Sequence, residues 1–274
     1  MRLICLTIFL LFCHALIAGN DGNTNGARRS ALGGSSILLK DHWAVDNNPA
    51  LLGNLNQWGA GISYENQFNL NELSYRSAVI AHPIKQGAFG LSINQFGFSA
   101  YQEDRIGLSY GQKLGEGLSM GIQLNYLSTS INEGYGSNNA ISGNVGVFAQ
   151  INDEISLAAI VINPNRAKLA EFQDERYPSL IKLGVGYTFS EKVSLVSEIA
   201  KDVDADADVR FGIEYQAIEI LYFRAGYSTN PALSSFGFGL LFNQFQLDIA
   251  SSFDSNLGFS PQISLSYRPR AKKE

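Results

Sequence analysis

The chain has 274 residues, long enough for one large domain, with a net charge of −5. Its only basic cluster is the short tail Arg268-Pro-Arg-Ala-Lys-Lys273, which excludes a nucleic-acid-binding design. Both cysteines, Cys5 and Cys13, lie within the first 18 residues, so the rest of the chain has no disulfide, thiol nucleophile or cysteine metal site.

Residues 1–18 read as a secretory signal peptide. Arg2 supplies the charged start, Leu3 to Phe12 the apolar core and Ala18 a small residue for cleavage. Cys13 raises a lipoprotein alternative, but Phe12 is a poor fit to the small residue needed before such a cysteine. Residues 19–26 are Gly, Asn, Asp and Thr only and read as a flexible leader. From Ala27 to Leu55 apolar residues are plentiful without alternating, as expected of a segment folded into a barrel mouth as a plug. His42 within it, and His82 further on, read as packed or interfacial side chains rather than metal ligands.

From residue 57 to residue 268 the pattern changes. Segments of roughly ten residues alternate apolar and polar, which places one greasy and one wet face on each strand. Strands are expected near 57–66, 72–83, 88–98, 103–113, 118–130, 140–151, 155–163, 179–190, 192–201, 208–217, 219–228, 234–243, 244–254 and 261–268. Leu118, Met120, Ile122, Leu124 and Tyr126 form one such outer face. Ile181, Leu183, Val185, Tyr187 and Phe189 form another. With 27 glycines for turns and 12 tyrosines, many near strand ends, the chain fits an all-β fold. The expected class is a transmembrane antiparallel β-barrel of about 14 strands. Lipid needs every backbone group paired, and strands achieve that only in a closed barrel.

The polar faces carry Arg76, Arg105, Lys182, Glu198, Arg210, Glu214, Arg224 and Asp248, all expected to point into the lumen. They fit either a structural ion-pair network or a polar pathway with a slight preference for anions. Every second connection is tight and the others are mostly longer, which sorts the loops onto two rims. The longest, 164–178, carries Arg166, Lys168, Phe172 and Arg176 and fits an outer contact surface or an idle amphipathic loop. Asp202, Asp204, Asp206 and Asp208 lack the glycine and glutamate of a calcium loop and read as a solvated turn; a divalent-ion bridge to lipopolysaccharide is the sharper alternative.

Two Gly-x-Ser-x-Gly runs, Gly107 to Gly111 and Gly117 to Gly121, match the nucleophile elbow of hydrolases. That motif needs a strand-to-helix turn and a later histidine. Both runs lie in alternating strands and no histidine follows His82, so an enzyme is not expected.

Within 27–55, Arg28, a Leu32-Gly33-Gly34 turn, Asp46 and Asn48-Pro49-Ala50 resemble the entry segment of FadL-type outer-membrane barrels. The closer likeness is to the short PorV/PorQ branch of Bacteroidota, associated with type IX protein secretion. The resemblance implies fourteen strands and an N-terminal plug. The expected organisation is a signal peptide (1–18), leader and plug (19–56), barrel (57–268) and periplasmic tail (269–274). The expected function is a non-enzymatic docking component in protein secretion, without cofactor, in the bacterial outer membrane. Its expected partners are outer-membrane lipid, lipopolysaccharide and secretion-system or secreted proteins. The alternative is a FadL-like passive channel whose partner is a small hydrophobic molecule.

Overall fold

The computed structural model describes residues 25–132, 136–169 and 175–269. The expected signal peptide, Phe172 of the long loop and the tail from residue 270 lie outside the described residues. Fourteen strands follow in chain order: β1 (Gly59–Asn66), β2 (Ser74–Ile84), β3 (Gly87–Gly97), β4 (Tyr101–Lys113), β5 (Leu118–Ile131), β6 (Gly136–Gln150), β7 (Ile155–Ile162), β8 (Leu180–Ser190), β9 (Val193–Asp202), β10 (Asp208–Ile218), β11 (Leu221–Thr229), β12 (Ala232–Phe242), β13 (Phe245–Asp254) and β14 (Gly258–Tyr267). Each pairs antiparallel with its neighbours, and β1 pairs with β14 to close the barrel.

The alternation decides which side faces outward. On β5 the burial pattern is two-periodic from Leu118 to Thr129: Ile122, Leu124 and Tyr126 are exposed, while Ser119, Gln123 and Asn125 are buried. Exposed Ile, Leu, Val and Phe side chains cover the exterior. Aromatic pairs gather near the rims, as Trp58 with Tyr267, Phe89 with Tyr110, and Phe253 with Phe259. An apolar band between aromatic girdles is the surface a bilayer requires.

The rim that holds the start of β1 and the end of β14 has connections of two to four residues, and is the periplasmic rim of such barrels. The opposite rim is less loop-rich than expected. Strands continue where turns were expected, so Asn230-Pro231 alone joins β11 to β12, and β5 runs to Ile131 and β6 starts at Gly136. Cross-strand pairing, such as Ser130 with Ser137, carries polar residues into the ladder that pattern alone assigns to loops.

Two expectations about the faces need correction. Arg76 points outward, not into the lumen: the inner positions around it are Tyr75 and Ser77. It sits near the outer rim, where its Nη1 donates to Gln95 Oε1 at 3.0 Å, and Gln95 Nε2 donates to Asp104 Oδ1 at 3.2 Å. A long charged side chain is tolerated at that level because it reaches the headgroup layer. The second correction is β7, whose inner face is apolar as well. Ala158, Ile160 and Ile162 are buried there, opposite exposed Leu157 and Val161.

Candidate functional site

Residues 25–55 lie inside the barrel. A short helix (Ala27–Ala31) rests on β11–β14, a second (Ala44–Asn47) on β2–β4, and a 3-10 turn (Pro49–Asn54) on β2–β6. Three charged clusters tie this segment to the wall.

The first centres on Asp46, 1% exposed. Its Oδ1 accepts from Ser92 Oγ at 2.6 Å and Gln123 Nε2 at 2.8 Å. Its Oδ2 accepts from Asn94 Nδ2 at 3.0 Å and from Asn25 Nδ2, with Arg105 Nη2 at 3.5 Å. In the second, Glu198 Oε2 on β9 accepts from the backbone N–H groups of Ser36 at 2.7 Å and Ile37 at 3.1 Å. Its Oε1 faces Arg210 Nη1 at 3.4 Å and Lys182 Nζ at 3.8 Å. Arg210 also reaches Asp208 at 2.5 Å and the Gly34 carbonyl at 3.2 Å. The third is a chain of alternating charge. Arg28 grips Glu214 with two bonds of 2.7 and 2.9 Å and reaches Asp41 at 3.1 Å. Arg224 then links Glu214 at 2.5 Å to Asp248 at 2.7 Å.

Seven of the eight charges assigned to the lumen are therefore there, Arg76 being the exception. Charges buried like this persist only when paired and hydrogen-bonded. The residues of the Arg28–Ala50 motif are held in the same region. Leu32 is buried, and Gly33 at φ +67° passes so close to β11 that an added Cβ would lie 2.6 Å from the Tyr227 backbone. Asn48 Oδ1 accepts from Ala50 N at 3.1 Å, capping the turn that Pro49 begins. Its Nδ2 donates to the Ile37 carbonyl at 2.9 Å, tying the two halves of the segment together.

The Gly-x-Ser-x-Gly runs have a structural use. Ser109 Oγ donates to the Val45 carbonyl at 2.8 Å, and Ser119 Oγ accepts from Asn54 Nδ2 at 3.1 Å. A Cβ on Gly111 would lie 2.1 Å from the Pro49 carbonyl oxygen, and one on Gly121 2.3 Å from the Pro49 carbonyl carbon. Bare backbone on the lumen face is what lets the segment press against the wall.

Above the Asp46 cluster is a small outer cavity of about 50 Å³, lined by Tyr75, Phe96, Leu127, Leu180, Tyr177 and Pro178 and equally by Asn94, Glu103, Asp104, Arg105, Ser142 and Asn163. The long loop supplies its roof, and Asn163 holds the roof in place. This buried residue takes φ 50°, and its Nδ2 donates to the carbonyls of Tyr177 at 2.9 Å and Pro178 at 3.2 Å. Its Oδ1 accepts from Ala167 N at 2.9 Å. The Tyr177 hydroxyl bonds Thr129 Oγ1. Burial pushes that hydroxyl up to about 12, so the contact stays protonated well above neutral pH. Asn163→Ala removes three bonds, each worth about 1 kcal/mol. We expect hydrogen exchange at Ala167 and Tyr177 to speed up at least as much as those losses imply. Unchanged protection would count against the clamp.

The outer-loop side chains are partly committed to the fold. Arg176 Nη1 donates to the Arg166 carbonyl at 2.9 Å, Arg166 pairs with Asp204 at 2.8 Å, and Lys168 bridges to Arg176 through the backbone. In the acidic run, Asp208 turns inward to Arg210. Among the described residues no group of three or more acidic, histidine or cysteine side chains converges as a metal site.

Sequence reasoning missed Asn163, the lumen glycines and the inner face of β7. The last had a signal: Leu157 to Ile162 is an unbroken apolar run, the mark of a strand buried on both faces.

No protein-family model and no curated protein matches the chain. Solved structures do. The toluene transporter TodX of Pseudomonas putida superposes with a TM-score of 0.68 at 13% identity, over 90% of this chain and 99% of that one. The toluene transporter TbuX of Ralstonia pickettii gives 0.65 at 14%, over 91% and 99%. A Pseudomonas aeruginosa FadL homologue gives 0.64 at 14%, over 89% and 98%. At such identity the likeness establishes the fold, that of FadL-type barrels. With its apolar exterior, the chain is a barrel of the bacterial outer membrane.

Proposed function

We propose that the barrel is a passive, non-enzymatic channel for small hydrophobic molecules. The observation that carries this is the outer cavity: a mouth-facing recess in which six aromatic or aliphatic residues stand among six polar or charged ones, continuous through Leu180 with the apolar inner face of β7, in a lumen lined elsewhere mainly by serine, glycine, amide and charge. Aromatic and aliphatic side chains combined with fixed polar groups are the ordinary make-up of a small-molecule site. The matched transporters named for toluene lend the same support.

Docking in type IX-like secretion, as in the PorV/PorQ branch, is less well supported. Most outer connections are short, and Arg166 and Arg176 of the longest are engaged within the barrel's own loops.

The test is uptake of a labelled monoaromatic hydrocarbon by cells with an intact lipopolysaccharide layer. Cells expressing the barrel should take it up faster than cells without it. Equal rates would overturn the reading.

A further inference from the structure

The three charged clusters that tie the plug to the wall lie on other strands, and the inner face of β7 meets the plug only through apolar packing, against Ile37 and Leu38. Its placement is informative. One buried apolar cluster contains Ile162, Ile160, Ala158, Phe148, Ile37 and Leu38 together with Leu180. Leu180 lines the outer cavity. Leu38 lines a second cavity of about 420 Å³ that opens among the periplasmic-side residues Gln150, Asp153, Thr188 and Ser194. The cluster thus joins the two cavities. From Ala158 to Ile162 the strand advances about 13 Å.

What a solute would have to displace differs sharply around the lumen. Near β3–β5 it must part Asp46 from its donors, and near β9–β13 it must part buried ion pairs. Each stranded polar group costs about 1–3 kcal/mol, more if charged. Along β7 the plug side chains packed on the strand, Ile37 and Leu38, are aliphatic, and the polar neighbours are Asn144 opposite Ile162 and Lys182 opposite Ile160. Gly184 on β8, the cross-strand partner of Ala158, leaves the room that Ile37 and Leu38 occupy. Lys182, the partner of Ile160, is drawn aside, its Nζ toward Glu198 at 3.8 Å. The side chains of Ile37, Leu38 and Phe148 carry no hydrogen-bonding group, so displacing them breaks no hydrogen bond and loses only the Lys40–Phe148 contact at 5.0 Å. An apolar solute meanwhile gains about 25 cal/mol per Å² of its surface buried there.

We infer that a small apolar solute crosses the barrel along the inner face of β7, from the outer cavity past Ile162, Ile160 and Ala158 to the periplasm-facing cavity. This rests on the channel reading and names its route, with Ile37, Leu38 and Phe148 as the constriction.

Thiol blocking tests it, because the chain's only cysteines precede the described residues and a thiol titration of the unsubstituted barrel sets the background. Ile160→Cys, with Ile162→Cys as a second site in case the first fails to fold, is treated in cells with benzyl methanethiosulfonate. Ser63→Cys, on the inner face of β1, is treated alike. Hydrocarbon uptake should fall to the level of cells without the barrel when residue 160 or 162 carries the benzyl group, and return on reduction. Modified Ser63→Cys should retain uptake. Full uptake with residue 160 or 162 modified overturns the route, as does failure of the apolar reagent to reach either thiol in a folded barrel. Absence of uptake in the unsubstituted barrel instead overturns the channel reading, so the two failures are distinct.

Discussion

Asp46→Ala is expected to loosen the segment inside the barrel more than any other single substitution. The carboxylate is fully buried and meets Ser92, Gln123, Asn94, Asn25 and Arg105. Truncation removes an acceptor from each of those donors, leaving Gln123 Nε2 only the Val45 carbonyl and Asn25 Nδ2 only Asn94 Oδ1, and takes the counter-charge from Arg105. Breaking a buried pair in this way costs about 3–5 kcal/mol. The outcome should be a lower unfolding temperature in detergent and a higher ion conductance in planar bilayers, since water enters where the carboxylate was. Arg28→Ala should do less, because Glu214 keeps Arg224 at 2.5 Å. Equal conductance for wild type and Asp46→Ala would show that this cluster does not hold the lumen closed.

The second large effect is expected at Gly121. A Cβ there would meet the Pro49 carbonyl carbon at 2.3 Å and the Ala50 nitrogen at 2.5 Å, both backbone. Neither can rotate away, so Gly121→Val must push the Pro49–Asn54 turn off the wall or fail to close the barrel. Overpacking of this kind costs about 1–3 kcal/mol or more. Gly115→Val is the control, since nothing lies within 4 Å of its Cβ position. We expect Gly121→Val to lower the unfolding temperature and expose 49–54 to added protease, with Gly115→Val close to wild type. Matching behaviour of the two variants would mean the close approach has no energetic weight.

The strand count and the facing of most residues were legible because membrane strands obey one strong rule. A residue such as Leu124 or Gln123 has only two environments to choose between, and its own chemistry makes the choice. Arg76 escaped because a long side chain near a rim can satisfy its charge on either side of the wall. Loop lengths on the outer rim escaped because Ser and Asn pair in a ladder above the bilayer as readily as they turn.

Sequence alone determined the closed barrel, its apolar exterior, the charges of its interior and a non-alternating segment ahead of the first strand. All of these follow from local period and from the demand for paired backbone. Only the tertiary structure decided which acid meets which base, why Gly111 and Gly121 are bare, and that the inner face of β7 links two cavities. Those facts depend on residues tens to hundreds of positions apart in the chain, such as Arg28 and Glu214, and no local pattern encodes which of them will meet.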